Sequence, residues 1–175
     1  MKKIFSLLTA LLFLLAAGCA AAETTVLLET VTGESIVLEH DKTLKMTKAD
    51  SPDPGNAHWT ISTSGCASVS LSIAPSEIDG TLSLEDLSES EQLKYGEMVG
   101  AMFASPEITL QKTPSGILYV QVCSNEESDI DTLLTIHNGY FIELVQYNED
   151  FSQLTKADQD FCRNLLNSVR FVGAK

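Results

Sequence analysis

Twenty-four acidic side chains against eleven basic ones give this 175-residue chain a formal net charge of −13. A surface of that sign repels phosphate backbones and anionic headgroups, which excludes nucleic-acid binding and electrostatic docking on acidic lipid. The length suits a single folded domain, able to bury about 70% of its unfolded surface without covalent staples.

The N-terminus has the three zones of a secretory signal. Lys2 and Lys3 are followed by an uncharged, Leu-rich run from Ile4 to Ala17 and then by small residues. That run is shorter than the roughly 20 residues of a bilayer-spanning helix, so it reads as a cleaved signal. Leu15-Ala16-Ala17-Gly18-Cys19 resembles a bacterial lipobox, in which the cysteine is lipidated and becomes the new N-terminus. The competing site is Ala20-Ala21-Ala22 before Glu23, an A-x-A pattern that would release a soluble secreted or periplasmic protein. We favour the lipobox. It divides the chain into a signal peptide, 1–18, and an acidic domain, 19–175, held on a membrane of the bacterial envelope by acyl chains on Cys19.

Elements follow at once, with no Gly- or Ser-rich tether. Thr24 to Val31 and Ser35 to His40 flank Thr32-Gly33-Glu34 and predict a hairpin. The turn formers from Ala49 to Asn56 predict a surface loop, and Trp59 opens a further strand. Ala67, Val69, Leu71 and Ile73 alternate with serines at 68, 70 and 72, the period of a half-buried strand. Ser83 with Asp86 and Ser88 with Glu91 fit capping boxes. After them Tyr95, Met98, Val99, Met102 and Phe103 recur at helical spacing, and Ser105-Pro106 ends the helix.

The last third predicts strands at Ile108 to Gln111, Leu118 to Cys123 and Leu133 to His137. Asn138-Gly139 is the preferred pair for a type I′ turn, so Tyr140 to Tyr147 folds back on the preceding strand. That strand carries Tyr140, Ile142 and Leu144 on one face and Phe141 and Val145 on the other, which calls for cover on both sides. Thr155 with Asp158 caps a final helix whose inner face holds Phe161, Leu165, Leu166 and Val169. The expected class is α+β: a largely antiparallel sheet flanked by two helices, an α/β/α sandwich.

The order of elements, the hairpin at Asn138-Gly139, the strand Tyr140-Phe141-Ile142-Glu143-Leu144 and the terminal Leu166-Asn167-Ser168-Val169-Arg170-Phe171 resemble the PsbP-like superfamily. It comprises the photosystem II extrinsic P subunit and small bacterial lipoproteins of the DcrB type. The resemblance implies a scaffold or binding module without a common active site. It is carried by packing and turn motifs, which speak to fold rather than chemistry.

With Cys19 assigned to lipid, Cys66, Cys123 and Cys162 remain. Cys162 reads as a core thiol beside a helical stripe, while Cys66 and Cys123 fall on expected strands and are the pair for a disulfide in an oxidising envelope. His40, His58 and His137 stand at no metal-ligand spacing, and His137 reads as a solvated strand end. Four carboxylates lie in the segment Asn125 to Asp131. They could attract calcium, but without the glycine and terminal glutamate of an EF-hand loop the segment reads as a charged connection between strands. Asp50 and Asp53 read likewise as loop charges. Gly96-Glu97-Met98-Val99-Gly100 lacks the apolar 20-mer of a membrane dimer and reads as close packing of a helix on a sheet. No cysteine-enzyme signature or G-x-S-x-G elbow is present. The sequence therefore favours a non-catalytic envelope lipoprotein, with no cofactor, no metal and an envelope protein as partner. The alternatives are a small-ligand or metal-binding accessory protein of a transporter and a thiol enzyme using Cys123 or Cys66.

Overall fold

The computed structural model describes residues 22–30, 32–53, 55–76, 78, 83–101, 103, 106–124, 129–150 and 152–173. The signal, the lipobox with Cys19, and Ala20 and Ala21 of the competing site lie outside the described residues, as do Met102, Ser105 and 125–128 of the acidic segment.

Among the described residues ten strands form two antiparallel sheets. The smaller holds β1 (Glu23–Glu29), β2 (Ser35–His40) and β10 (Val169–Val172) in the order β1-β2-β10. The larger holds β3 (Lys45–Ala49), β4 (Ala57–Ser62), β5 (Val69–Pro75), β6 (Pro106–Lys112), β7 (Leu118–Ser124), β8 (Ile130–His137) and β9 (Tyr140–Tyr147), in the order β3-β4-β5-β9-β8-β7-β6. Two α-helices, α1 (Glu89–Gly100) and α2 (Lys156–Ser168), complete the fold. The α+β class, the antiparallel pairing and both helices agree with the sequence reading. Asn138 and Gly139 take φ of 49° and 76° at the hairpin joining β8 to β9, both in the left-handed region that a type I′ turn demands.

Register settles which side chains share a face, because directly opposed residues point the same way. One face carries Trp59, Ile61, Leu71, Ile73, Ile142, Leu144, Leu133 and Tyr119. These join Leu27, Ile36 and Leu38 of the small sheet and Cys162, Leu165, Leu166 and Val169 from the last helix and strand in one core. Its cover is thus α2 together with a three-stranded sheet, where the sequence suggested a helix alone. The reason is chain closure: Val169 to Val172 pair with β2, so the C-terminus completes a sheet begun by the N-terminal hairpin. Trp59 Nε1 donates to Leu27 O at 3.1 Å and ties the two sheets.

The opposite face has a second core. Val120, Val122, Leu134 and Ile136 pack with Tyr95, Val99, Ile108 and Phe141. Helix α1 lies on β6 and β7, so close that a Cβ at Gly96 would stand 2.4 Å from Ile108 Cγ2 and one at Gly100 2.9 Å from Pro106 Cγ. The G-x-x-x-G spacing is a helix-on-sheet contact. Beyond α1 this face is uncovered over β5, β4 and β3, where Ser70, Thr60 and Thr47 are exposed. Strand β3 was not foreseen; its pattern is exposed at every position but Met46, so it offers little periodicity, and its lysines suit an edge.

Helix α2 starts as expected. Asp158 accepts from Thr155 N at 2.7 Å and Thr155 Oγ1 at 2.6 Å, and its other oxygen accepts from Ala67 N at 2.6 Å. One carboxylate both caps the helix and holds it to the segment leading into β5.

Candidate functional site

The cysteines settle the thiol question. Cys66, Cys123 and Cys162 are all free, so the bridge expected between Cys66 and Cys123 is not formed. Register explains it. Val69, Gln146, Asp131 and Cys123 make one row across β5, β9, β8 and β7. Three strand spacings of about 4.8 Å put Cys123 some 14 Å from that end of β5, whereas a disulfide needs Cα atoms within about 7 Å. Cys66 lies in the turn before β5, not in a strand, with its sulfur 3.9 Å from Ala157 O. Cys162 is fully buried, as its place beside the helical stripe suggested.

The thiols of these three cysteines are all raised in pKa. Burial, then the charge of Asp131, pushes the Cys123 thiol up to about 12. Burial raises Cys66 as well, and raises Cys162 far more. A nucleophilic cysteine needs the reverse, a thiolate at neutral pH.

Asp131, grouped in the sequence with the acidic connection, is instead a strand residue turned inward and only 1% exposed. Its carboxylate accepts from Gln121 Nε2 at 2.9 and 3.1 Å and from Cys123 Sγ at 3.3 Å. Gln121 Oε1 accepts from Gln111 Nε2 at 2.8 Å, and Gln111 Oε1 from Tyr119 Oη at 2.9 Å. This relay lines a polar cleft of about 270 Å³ under Arg163 of α2, whose guanidinium is held by Asp160 at 2.7 Å. Its donors and acceptors largely satisfy one another, which suits a structural network. Among the described residues no group of three or more His, Cys, Asp and Glu could hold a metal ion.

The histidines lie far apart in the fold. His40 bonds Thr25 Oγ1 at 2.8 Å, and His58 bonds Ser72 Oγ at 3.0 Å. His137 is not a solvated strand end but lies half-buried, edge-on to Phe171 at 4.9 Å, and burial lowers its pKa. The contact exists because Phe171 arrives with β10, which sequence periodicity does not reveal.

A groove of about 690 Å³ opens between α1 and the sheet. Ala74, Phe141 and Ile136 stand side by side in register as its floor. Tyr95, Met98 and Val99 form the helical wall, with Ile78 and Leu87 beside them. Met98 is 71% exposed. Helical spacing grouped it with Tyr95 and Val99, and the groove is the reason it is not covered. The size fits a small-molecule site, and so does an apolar lining with few polar groups.

Two charges stand at the rim, Glu91 and Lys94. Glu91 accepts from Ser88 N at 2.9 Å and Ser88 Oγ at 2.6 Å, the capping box read from sequence. Those bonds lower its pKa, with a smaller contribution from nearby Lys94.

One row along the sheet from the floor, on the same face, stand Ser72, Glu143 and Leu134. Glu143 is half-buried, and burial raises its pKa, with His58 pulling weakly the other way. Ser72 lies between Glu143 and His58. A hydrolytic relay needs the imidazole between hydroxyl and carboxylate, so this row is not a triad. Sequence reading passed over Glu143. Its signal is there in hindsight: a single carboxylate inside Tyr140–Tyr147, a strand with apolar groups on both faces.

No family model matches the chain, and no curated protein sequence matches it. Among solved structures the chain is similar to the solution structure of cyanobacterial PsbP (CyanoP) from Synechocystis sp. PCC 6803, at 13% identity over 88% of this chain and 94% of that one, with a TM-score of 0.49.

Proposed function

We propose that the protein is a non-catalytic binding module, exported and tethered to the bacterial envelope through Cys19, whose groove between α1 and the sheet takes an apolar small molecule. The groove carries this reading: about 690 Å³ of open, apolar-lined space, with a methionine side chain left in solvent beside it. Methionine is the side chain that adapts most easily to varied apolar ligands. The raised thiols and the order of the Glu143–Ser72–His58 row speak against nucleophilic catalysis. The reading narrows the binding role expected from the sequence to a small ligand, while an envelope protein stays open as the receiver of that ligand.

The test uses the neutral fluorophore 1-N-phenylnaphthylamine. Its emission is expected to rise and shift to the blue with the purified domain, and Val99→Asp is expected to abolish the change without unfolding the chain by circular dichroism. Equal enhancement with Val99→Asp would show that the dye binds elsewhere. The tether is tested separately, by intact mass of protein from a bacterial membrane fraction: a chain from Cys19 plus acyl groups supports it, a bare chain from Glu23 removes it.

A further inference from the structure

We infer that the groove selects apolar molecules carrying a basic nitrogen, whose ammonium group is met by Glu143. The inference rests on the groove being a small-molecule site.

The groove floor is the row Ala74, Phe141 and Ile136, and the next row on that face is Ser72, Glu143 and Leu134. Adjacent rows on one face of a sheet are about 7 Å apart, so Glu143 stands just beyond the lining of the groove, roughly five or six methylene lengths along the sheet from its apolar floor. Among the described residues Glu143 makes no hydrogen bond and no ion pair, and burial raises its pKa with only His58 pulling weakly the other way. A half-buried carboxylate in that condition is stabilised by an incoming cation more than an exposed one is. Elsewhere around the groove the charges are spoken for. Glu91 is bound to Ser88, and Lys94 lies beside Glu91. The polar residues in the row of Glu143 itself, Ser72 and His58, are bonded to each other. The net charge of −13 works in the same direction, drawing cations toward the surface and repelling fatty acids.

An amine with an eight-carbon tail spans floor and carboxylate together, the tail over Phe141 and Ile136 and the ammonium at Glu143. An alcohol of the same length keeps the apolar contact and loses the charge. A carboxylate of the same length is repelled.

The experiment is displacement of 1-N-phenylnaphthylamine by n-octylamine, n-octanol and octanoate at pH 7, each below its micelle-forming concentration. Octylamine is expected to displace the dye at about one tenth the concentration of octanol, the worth of one charge-assisted contact, and octanoate least well. Glu143→Gln is expected to bring octylamine level with octanol while leaving octanol unchanged. Glu149→Gln removes an exposed turn carboxylate and is expected to keep the preference, which separates a seated ammonium from general attraction to an acidic surface. The inference is overturned if octylamine and octanol compete equally, if the preference survives Glu143→Gln, or if Glu149→Gln removes it as well. Failure of the dye to bind at all would instead strike the groove itself, and the inference with it.

Discussion

The two faces of the seven-stranded sheet are made by the same strands and closed to different degrees. On one, α2 and the three-stranded sheet cover the floor from β4 to β8, and the core runs through both sheets without a break. On the other, α1 covers β6 and β7 and leaves the rest to serines, threonines and a groove. The polar groups differ accordingly. Asp131, on the closed face, is deeply buried and bonded to its neighbours, whereas Glu143, on the half-open face, is half-buried and unpaired. Strand β9 contributes Ile142 and Leu144 to the first and Phe141 and Glu143 to the second. Alternation along one strand thus lets stability and recognition be built from adjacent residues with little conflict.

The sharpest way to break this contrast is to truncate each face in turn. Leu144→Ala, at a fully buried position, should cost about 3 kcal/mol in urea unfolding. Phe141→Ala, partly exposed at the groove, should cost about half of that and abolish dye binding. Equal losses, or dye binding that follows Leu144 instead, would dissolve the division of labour. Next in size is the contact that sets the groove's width. In Gly96→Ala the new methyl would meet Ile108 Cγ2 at 2.4 Å and Val120 Cγ1 at 2.8 Å. The overpacking should outweigh the gain of about 1 kcal/mol in helix propensity and leave a net loss of about 1–2 kcal/mol. A stabilised variant would mean that α1 can lift off the sheet at no cost.

Smaller effects come from the buried carboxylates, and the two act in opposite directions. Burial raises the Asp131 pKa above its unfolded value, so its ionised form weakens the fold at neutral pH, and that cost is relieved as pH falls through the folded pKa toward about 4. Burial also works to raise Asp158, but the bonds from Thr155 and Ala67 outweigh it and the net shift is downward. Its contribution is present above about pH 4 and lost as pH falls through the folded pKa. Unfolding curves between pH 7 and pH 4 should therefore show the parent gaining on Asp131→Asn as pH drops, and parallel curves would mean Asp131 is not strained by its burial. The smallest effect belongs to the surface. Lys112→Ala, which breaks an ion pair with Glu85 that is half-exposed on both sides, should change stability by less than about 0.5 kcal/mol.

Much of this architecture was legible in the residues. Asn138-Gly139, the alternation before Ile73, and the capping pairs at Ser88 and Thr155 each encode a local geometry, and each is found where local rules place it. What escaped was set by long-range neighbours. Strand β3 has almost no buried face to give it a period. Asp131 looked like one of four loop charges because its burial depends on Gln121 and Cys123 across β7. Cys66 and Cys123 could be paired on paper, since sequence does not count the two strands between them. The groove was invisible for the same reason. Its helical wall follows a pattern identical to that of a core helix, and only the sheet's greater breadth leaves part of it bare.

The pairing of β10 with β2 has a consequence in time. Val169 to Val172 zip against a strand made long before them in the chain, so the larger core cannot seal until both are in place. Such distant partners make for slow closure. Clipping Val169 to Val172 would then leave a chain whose larger core never shuts.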